Sequence, residues 1–417
     1  MRNIAEIFIP YQKEKISVNI PEKNLVKTIE SGEKFPYKDE KKVITESLIN
    51  PIKSEKLSEL AKNKKNACIL VSDITRPCPS YKFLPYLIDE LKAGGIKEIN
   101  IIFGLGIHRK HSQDEKIKLV GEYAAGAANL FDSEADKCRF IGKTKFKTPV
   151  EIYSKALDSD LLIVTGNIEY HYFAGYSGGA KAVMPGIASK NSVQANHSMM
   201  LDDNSVAGNF YTNPVRLDME EAGKMAGIDF LFNVILDDNK RIVAAVCGSN
   251  NDAFVEGIKI YDSIYKIEVD SKADLVITSP GGYPKDINLY QAQKALDNVK
   301  EIVKDGGIIL LVAACPEGFG EDTFCEWMND AKDFNKLYKK IKEKFVLGGH
   351  KAVAISKVLT KANVYLYSDF DKADTENMGF FKLDDIQEFV NSILMKNNNA
   401  KIAVVPNGRF IKFKSNK

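Results

Sequence analysis

Apolar residues along this chain fall into short blocks separated by turns rich in Gly, Pro, Asp and Asn. The spacing inside each block names the element. Ile4 to Pro10 and Lys15 to Ile20 read as two short strands around a charged turn, and Ser54 to Ala61 reads as helix. Ala67 to Val71 is an unbroken apolar run, a strand, that empties into Ser72-Asp73-Ile74-Thr75-Arg76-Pro77-Cys78-Pro79. The two prolines sit where helix entry is allowed, because a first-turn Pro lacks only an N–H that would be unpaired anyway. Phe83, Leu84, Leu87, Ile88 and Leu91 then recur at helical spacing until Gly94-Gly95. Ile99 to Phe103 is the next strand, followed by Gly104-Leu105-Gly106-Ile107-His108-Arg109 and a helix over Gln113 to Leu119. Alternating strand, loop and helix is the signature of βαβ units and a largely parallel sheet.

The pattern continues with a strand at Asn129 to Phe131 and a hairpin-like pair over Phe140 to Ile152. Leu161 to Val164 is a strand that opens onto Gly166 to His197, the stretch richest in Gly, His and Lys. Ala188 to Ser198 reads as a helix with His197 near its C-terminal end, and Pro214 to Ala226 as another with Pro in its first turn. Phe230 to Leu236 and Arg241 to Val246 predict a hairpin across Asp237-Asp238-Asn239, and Ala253 to Tyr265 a helix. A boundary is expected near Val269 to Lys272, where the rhythm restarts. Leu275 to Thr278 is a strand ending in Ser279-Pro280-Gly281-Gly282-Tyr283-Pro284, and a helix follows over Leu289 to Val299. Gly307 to Val312 and Val364 to Tyr367 are strands. Helices are expected at Thr323 to Met328, Asp330 to Lys342, Ala352 to Leu359 and Leu383 to Leu394. Ala400 to Pro406 and Phe410 to Phe413 predict a last hairpin across Asn407-Gly408. The expected fold class is therefore α/β: two α/β domains with mainly parallel sheets, an N-terminal one over 1–269 and a smaller C-terminal one over 270–398.

Composition narrows the function more than the fold. A chain of 417 residues exceeds one compact core. The 58 Lys and Arg nearly cancel the 56 Asp and Glu, for a net +2, which speaks against an electrostatic nucleic-acid binder. The basic run from Lys412 to Lys417 reads as a solvated tail. No apolar run approaches the ~18 residues of a membrane span, and the N-terminus lacks the core of a signal peptide. Six scattered cysteines without CxxC suit a reducing cytoplasm.

Four of the five histidines fall in or beside loops: His108, His111, His171 and His197. His108 and His171 each follow a strand and a Gly, and such loops share one edge of an open sheet. Two imidazoles brought together can take and give protons near neutral pH. The turn Ser177-Gly178-Gly179 exposes backbone N–H groups that could cradle a phosphate, yet matches neither the dinucleotide nor the nucleoside-triphosphate fingerprint. Lys181, two residues on, could pair with a phosphate or serve as a covalent attachment point. Asp73, Thr75 and Arg76 end a strand, and the Arg fork suits a carboxylate or phosphate. Tyr290 and Lys294 share a helix face with Gln291 nearby, and could look across a cleft between domains, where small-molecule sites are common. Trp327, three residues from Phe324, predicts packing, and His350 reads as a cap or hinge residue.

These motifs, taken in order, resemble the nickel-pincer-nucleotide lactate racemase family of 2-hydroxy acid racemases and epimerases. They are Asp73-x-Thr75-Arg76-Pro77, Gly104-x-Gly106-x-His108-Arg109, Gly178-Gly179-Ala180-Lys181 with Pro185-Gly186, Asn196-His197, and Gly281-Gly282-Tyr283-Pro284 with Tyr290-Gln291 and Lys294. The resemblance implies that Lys181 holds a pyridinium-3-thioamide-5-thiocarboxylic acid mononucleotide, covalently in several members. It implies that His197 ligates nickel and that His108 and His171 are the acid/base pair. Arg76 and Lys294 would orient the substrate. Asp73, Thr75, Gly178 and Gly179 would bind the nucleotide, with Tyr290 and Gln291 nearby. The implied fold places the active site in the interdomain cleft, with strands of 399–417 packing back on the first domain. The implied chemistry moves the α-hydride to the cofactor and back through a flat 2-keto acid. Implied partners are a small 2-hydroxy acid, cofactor-biosynthesis proteins met transiently, and a second copy of the chain if it is a homo-oligomer. Many members carry Asn-His-Asp where this chain has Phe131-Asp132-Ser133, a departure that touches the assignment to lactate more than that to the family.

Two other classes stay open on the residues alone. One is a zinc or other metal enzyme using His108, His171 and His197 as three ligands. The other is a non-catalytic protein that binds a carboxylate or phosphate.

Overall fold

Five of the apolar runs line up side by side in one sheet. The structure, a computed structural model, describes residues 3–28, 39–76, 78–106, 108–237, 239–346, 348–408 and 411–413. Strands Asn66–Ser72, Glu98–Gly104, Asn129–Asp132, Leu162–Asn167 and Phe230–Leu236 run parallel, and Ile242–Gly248 pairs antiparallel at one edge. The order across the sheet is Ile242–Gly248, Phe230–Leu236, Leu162–Asn167, Asn66–Ser72, Glu98–Gly104, Asn129–Asp132. Near-continuous apolar sequence is what a parallel strand covered on both faces demands. Alternate positions serve opposite faces. Ile69, Val71, Ile101 and Phe103 join the core under helix Ser80–Ala93, while Cys68, Leu70, Ile102 and Val164 join the core on the other face. Helix Glu40–Ile49, unforeseen in the sequence, adds Ile44 and Leu48 to the first of these cores.

This strand order reverses direction at one place. Connections from Asn66–Ser72 proceed outward through Glu98–Gly104 to Asn129–Asp132, then jump back to Leu162–Asn167 on the other side. The crevice beyond the carboxyl ends of strands Asn66–Ser72 and Leu162–Asn167 is thus a topological switch point, where open α/β sheets keep their ligands.

The second sheet is parallel throughout, in the order Phe381–Lys382, Asn363–Tyr367, Val303–Val312, Ala273–Thr278, Ile402–Val405, Leu25–Thr28. Hairpin Ile4–Tyr11 with Glu14–Pro21 buries Ile7, Ile9, Val18 and Ile20 against Leu275, Ile277, Leu310 and Val404 of this sheet.

The chain divides differently from expectation at both ends. One compact unit is Gly32–Tyr265, and the other joins Met1–Ser31 to Lys266–Lys417. The expected 1–269 domain therefore loses its first segment, and its boundary falls a few residues early. Nor do the strands of 399–417 return to the first domain. Ile402–Val405, buried at all four positions, inserts between Ala273–Thr278 and Leu25–Thr28. A run buried on both faces belongs inside a parallel sheet, so the expected hairpin across Asn407-Gly408 does not form. Ile411–Phe413 pairs in parallel with Ile267–Val269 instead. Pro77, Ile107, Asp238, Phe410 and the tail 414–417 lie outside the described residues. No helix among the described residues is long and apolar enough to cross a membrane.

Candidate active site

Asp73 stands at the switch point, one residue past strand Asn66–Ser72, and is almost fully buried. One carboxylate oxygen accepts from Thr75 N–H (3.1 Å) and Thr75 Oγ1 (2.7 Å), and the other pairs with His108 Nδ1. Burial pushes this carboxyl up. The hydrogen bonds from His108 and Thr75, with the charges of His108 and Arg76, outweigh burial and hold it below the usual range. An ionised Asp73 can only accept, so His108 Nδ1 donates. Arg76 is exposed, and its N–H closes a turn onto the Asp73 carbonyl (3.1 Å). The His108 loop is stitched to the loop after Lys181: Gly106 N–H donates to the Gly186 carbonyl (2.8 Å). A Cβ on Gly104 would crowd Gly186 at 3.2 Å, so this approach requires glycine.

His171 lies on a two-stranded ribbon, Tyr170–His171 with Gly175–Tyr176. Its Nδ1 accepts the Ala174 N–H (3.2 Å), which assigns the ring proton to Nε2. The ring meets Phe173 edge-on at 4.7 Å, and the other side of that contact network is His197, 5.0 Å from Phe173. His197 ends helix Lys190–Ser198. Its Nδ1 donates to Asn196 Oδ1 (3.0 Å), and Asn196 is itself fixed, its amide donating to Asp218 (2.8 Å) and to the Val215 carbonyl (3.0 Å). That leaves the His197 lone pair on Nε2. Burial, and then the charge of Lys181, push the ring down to about 3, so it is neutral.

Lys181 sits in a short turn of helix, Gly179–Ala182. The glycine turn before it is pinned from beneath. Asn233 Oδ1 accepts from Gly179 N–H (2.8 Å), and the fully buried Arg216 donates to the carbonyls of Tyr176 and Gly178 (both 3.1 Å). Carbonyls drawn inward leave the turn's outer surface to other groups. Gly178 and Gly179 have φ of 87° and 61°, and a Cβ would meet Asn233 Oδ1 or the Arg216 guanidinium at 2.5 Å. Both positions therefore exclude other residues on conformation and on space.

In the other unit, Tyr290, Gln291 and Lys294 open helix Leu289–Val299, capped by Asn288. Lys294 Nζ donates to Gln291 Oε1 (3.0 Å). Tyr290 is half-buried, and burial followed by Glu321 raises its hydroxyl. Against it lies Lys351, whose ammonium donates to the Tyr290 carbonyl (2.6 Å) and covers its ring. Burial and then the charge of Lys294, which outweighs Glu321, push Lys351 down to about 6.

Among the described residues no three His, Cys, Asp or Glu side chains assemble as a metal-ligand group, so His108, His171 and His197 do not form the three-ligand zinc centre considered above. A cavity of about 610 Å³ is lined by Asn66, Glu98, Asn100 and Glu134 among others and by none of the histidines. Asp132 holds His111 and Arg216 and Asn233 pin the glycine turn, contacts that the sequence alone does not reveal. His350, read as a cap or hinge, accepts the Gly348 N–H at the start of helix Gly349–Leu359 (3.2 Å). Trp327 is buried, as its spacing from Phe324 predicts.

Comparison with known proteins covers both units. The models of a lactate racemase N-terminal domain and a lactate racemase C-terminal domain match residues 11–208 and 269–411. A lactate racemase from Thermoanaerobacterium thermosaccharolyticum is 33% identical over 421 residues, covering 97% of this chain and 98% of that protein. One from Lactiplantibacillus plantarum is 32% identical over 425 residues, covering 97% and 99%. The structure of the T. thermosaccharolyticum lactate racemase apoprotein superposes with a TM-score of 0.90 at 31% identity, over 99% of this chain and 100% of that one. A Thermotoga maritima crystal structure, 17% identical with a TM-score of 0.61 over 88% of this chain and 99% of that one, shares the fold.

Proposed function

This chain belongs to the lactate racemase family and is a nickel-dependent isomerase that racemises or epimerises a 2-hydroxy acid; from that premise we propose how its own residues hold the cofactor and move protons. The nickel pincer nucleotide supplies, when bound, the acceptor and donor of the α-hydride. Lys181 holds the nucleotide, with the Gly178–Gly179 turn and Thr75 against its phosphate end. His197 ligates the nickel through Nε2.

The observation that carries this reading is the state of His197. A metal ligand must be neutral, with its lone pair outward and its other N–H held by a partner. Desolvation and Lys181 keep the ring neutral, and Asn196 takes its Nδ1 proton. The absence of a three-residue ligand set among the described residues agrees with a metal whose other donors come from the cofactor.

His108 and His171 serve as acid and base. Asp73, expected at the nucleotide, is engaged by His108, and we assign it to orienting that ring. His108 is held through Nδ1 by Asp73, which leaves its Nε2 for proton exchange, and His171, whose Nδ1 accepts the Ala174 N–H, presents an Nε2–H. One turnover direction thus starts with His108 taking the hydroxyl proton while His171 hydrogen-bonds the oxygen, and the reverse starts from the opposite proton distribution. Arg76 holds the substrate's carboxylate, its fork matching the two oxygens. We place the isomerase in the cytoplasm, supported by six free thiols, where host proteins that make the cofactor would load it.

The test is intact-mass and nickel analysis of protein co-produced with the cofactor-making enzymes. The expected result is an adduct traced to Lys181 and bound nickel that His197→Ala loses, with chiral interconversion of a 2-hydroxy acid. No adduct and no nickel, from a host that loads a known family member, would overturn the assignments.

A further inference from the structure

Three histidines of the site have been given a task, and a fourth lies behind them. His111, beyond the loop that carries His108, is buried with its side chain 1% exposed. Its ring packs on Phe103 at 5.1 Å. Nδ1 lies 2.7 Å from Asp132 Oδ1, and the His111 backbone N–H donates to the other oxygen of the same carboxylate (3.2 Å). Lys116 Nζ completes the set, 3.1 Å from Asp132. On the ring's far side, the backbone N–H of Ile74 points at Nε2 from 3.1 Å.

An amide N–H can only donate, so Nε2 of His111 must be the acceptor and the ring proton must lie on Nδ1, facing Asp132. Ile74 N–H then donates to His111, His111 Nδ1–H donates to Asp132, and Lys116 donates to the same carboxylate from its other side, so the hydrogen bonds converge on Asp132. The outermost donor is the peptide between Asp73 and Ile74. Asp73 is the residue that holds His108 by Nδ1, and Thr75, next along, bonds back to Asp73. A turn of exposed residues, Ile74, Thr75 and Arg76, is thus tied from inside at a single buried point. We infer that His111, locked as the Nδ1–H tautomer by Asp132, is a positioning residue that fixes the Asp73 turn and through it the direction of the His108 ring. The inference rests on the acid/base reading of His108 only for its effect on turnover. The bond to Ile74 stands without it.

Loss of that bond frees the Ile74 amide. It lets the Asp73 carboxylate rotate away from His108, so the effect falls on the proton-transfer step more than on substrate binding. His111 touches neither substrate nor cofactor in this scheme.

Two arms test this. The first needs no cofactor. In the full-length apoprotein at neutral pH, ¹⁵N NMR of the His111 ring should report a protonated Nδ1 and an unprotonated Nε2. Hydrogen exchange at the Ile74 amide should speed by about tenfold in His111→Phe, the size expected for one lost hydrogen bond. His111→Gln keeps an acceptor and should recover part of the protection, which separates lost positioning from lost folding. A proton on Nε2, or unchanged exchange at Ile74 in His111→Phe, overturns the inference. The second arm uses the loaded isomerase. His111→Phe should lower kcat by about tenfold or more with KM changed much less, and His111→Gln should restore part of kcat. If His108→Ala abolishes turnover while His111→Phe leaves kcat unchanged, the positioning role fails and the acid/base reading stands. If His108→Ala racemises normally, the acid/base reading fails, and the NMR arm still decides the bond to Ile74.

Discussion

In the Gly32–Tyr265 unit, polar groups at the strand ends come as matched sets. Asp73 meets His108, Asp132 meets His111 and Lys116, and Glu220 meets Arg216. The carboxyl end of the other unit is arranged otherwise. There the buried ammonium of Lys351 meets a carbonyl and an aromatic face, with Lys294 near enough to repel it. The contrast has a physical meaning. A carboxylate beside an imidazole decides which nitrogen carries the proton, so matched sets define proton positions. A buried ammonium that desolvation and a neighbouring lysine disfavour more than Glu321 favours it tends to shed its proton. One unit is organised to place protons, and in the other burial and the neighbouring Lys294 favour the uncharged amine of Lys351.

The comparison breaks most easily at the histidines. His108→Ala and His171→Ala should each lower turnover by about 10²–10⁴, while mass analysis still finds the Lys181 adduct. Normal racemisation by either would remove the proton-placing role. Asp73→Asn should cost less, roughly 10² in kcat, because the imidazole remains and only its orientation goes. This variant also carries a pH signature. The native carboxyl of Asp73 is held below its ordinary value, so its contribution to stability is present above the unfolded carboxylate range and is lost as pH falls through the lowered value. The parent's advantage in Tm over Asp73→Asn should therefore shrink on acidification below about pH 4.

Lys351→Met sharpens the other side. The amine's folded value, about 6, lies below its unfolded one. The unfolded chain then binds the extra proton between those values, and native stability rises with pH across that window. Lys351→Met should melt at higher temperature than the parent at pH 6 and below, with the gap closing towards pH 10. A parent that is the more stable at pH 6 would mean that Lys351 has an effective counter-charge after all. The smallest effects are expected at glycines. Gly227→Ala, at the left-handed C-cap of helix Pro214–Ala226 with φ 77° and open space around it, should cost about 1–2 kcal/mol in conformation alone. Gly179→Ala should cost more in thermal unfolding, because its Cβ also meets Arg216.

Much of this was legible in the residues. The apolar runs gave the central strands, since a strand covered on both faces must be apolar throughout. The histidines stood out because they follow strands. Helix Glu40–Ile49 escaped because only Ile44 and Leu48 are buried among its charged residues. The run Ile402–Val405 was taken for half of a hairpin because Asn407-Gly408 is a strong turn signal. Its unbroken burial, the mark of an interior parallel strand, is a tertiary fact. Of the proposed site, the motifs singled out Lys181, His197 and His108 as candidates. They did not single out Asp132, Arg216 and Lys351, because charged residues on helices and at strand ends usually face water. Only the folded neighbourhood distinguishes those that do not.

Strand Ile402–Val405 also sets a timetable. It lies between Ala273–Thr278 and Leu25–Thr28, so Leu25–Thr28 gains its partner only after translation has passed Val405. The Gly32–Tyr265 unit is continuous and can fold as soon as it leaves the ribosome. At about 5–20 residues per second, the N-terminal strand then waits tens of seconds with an open edge. During that interval the nascent chain carries an exposed strand that invites pairing with neighbours. Ribosomes stalled before Ile402 should therefore yield a folded first unit beside a chaperone-bound remainder.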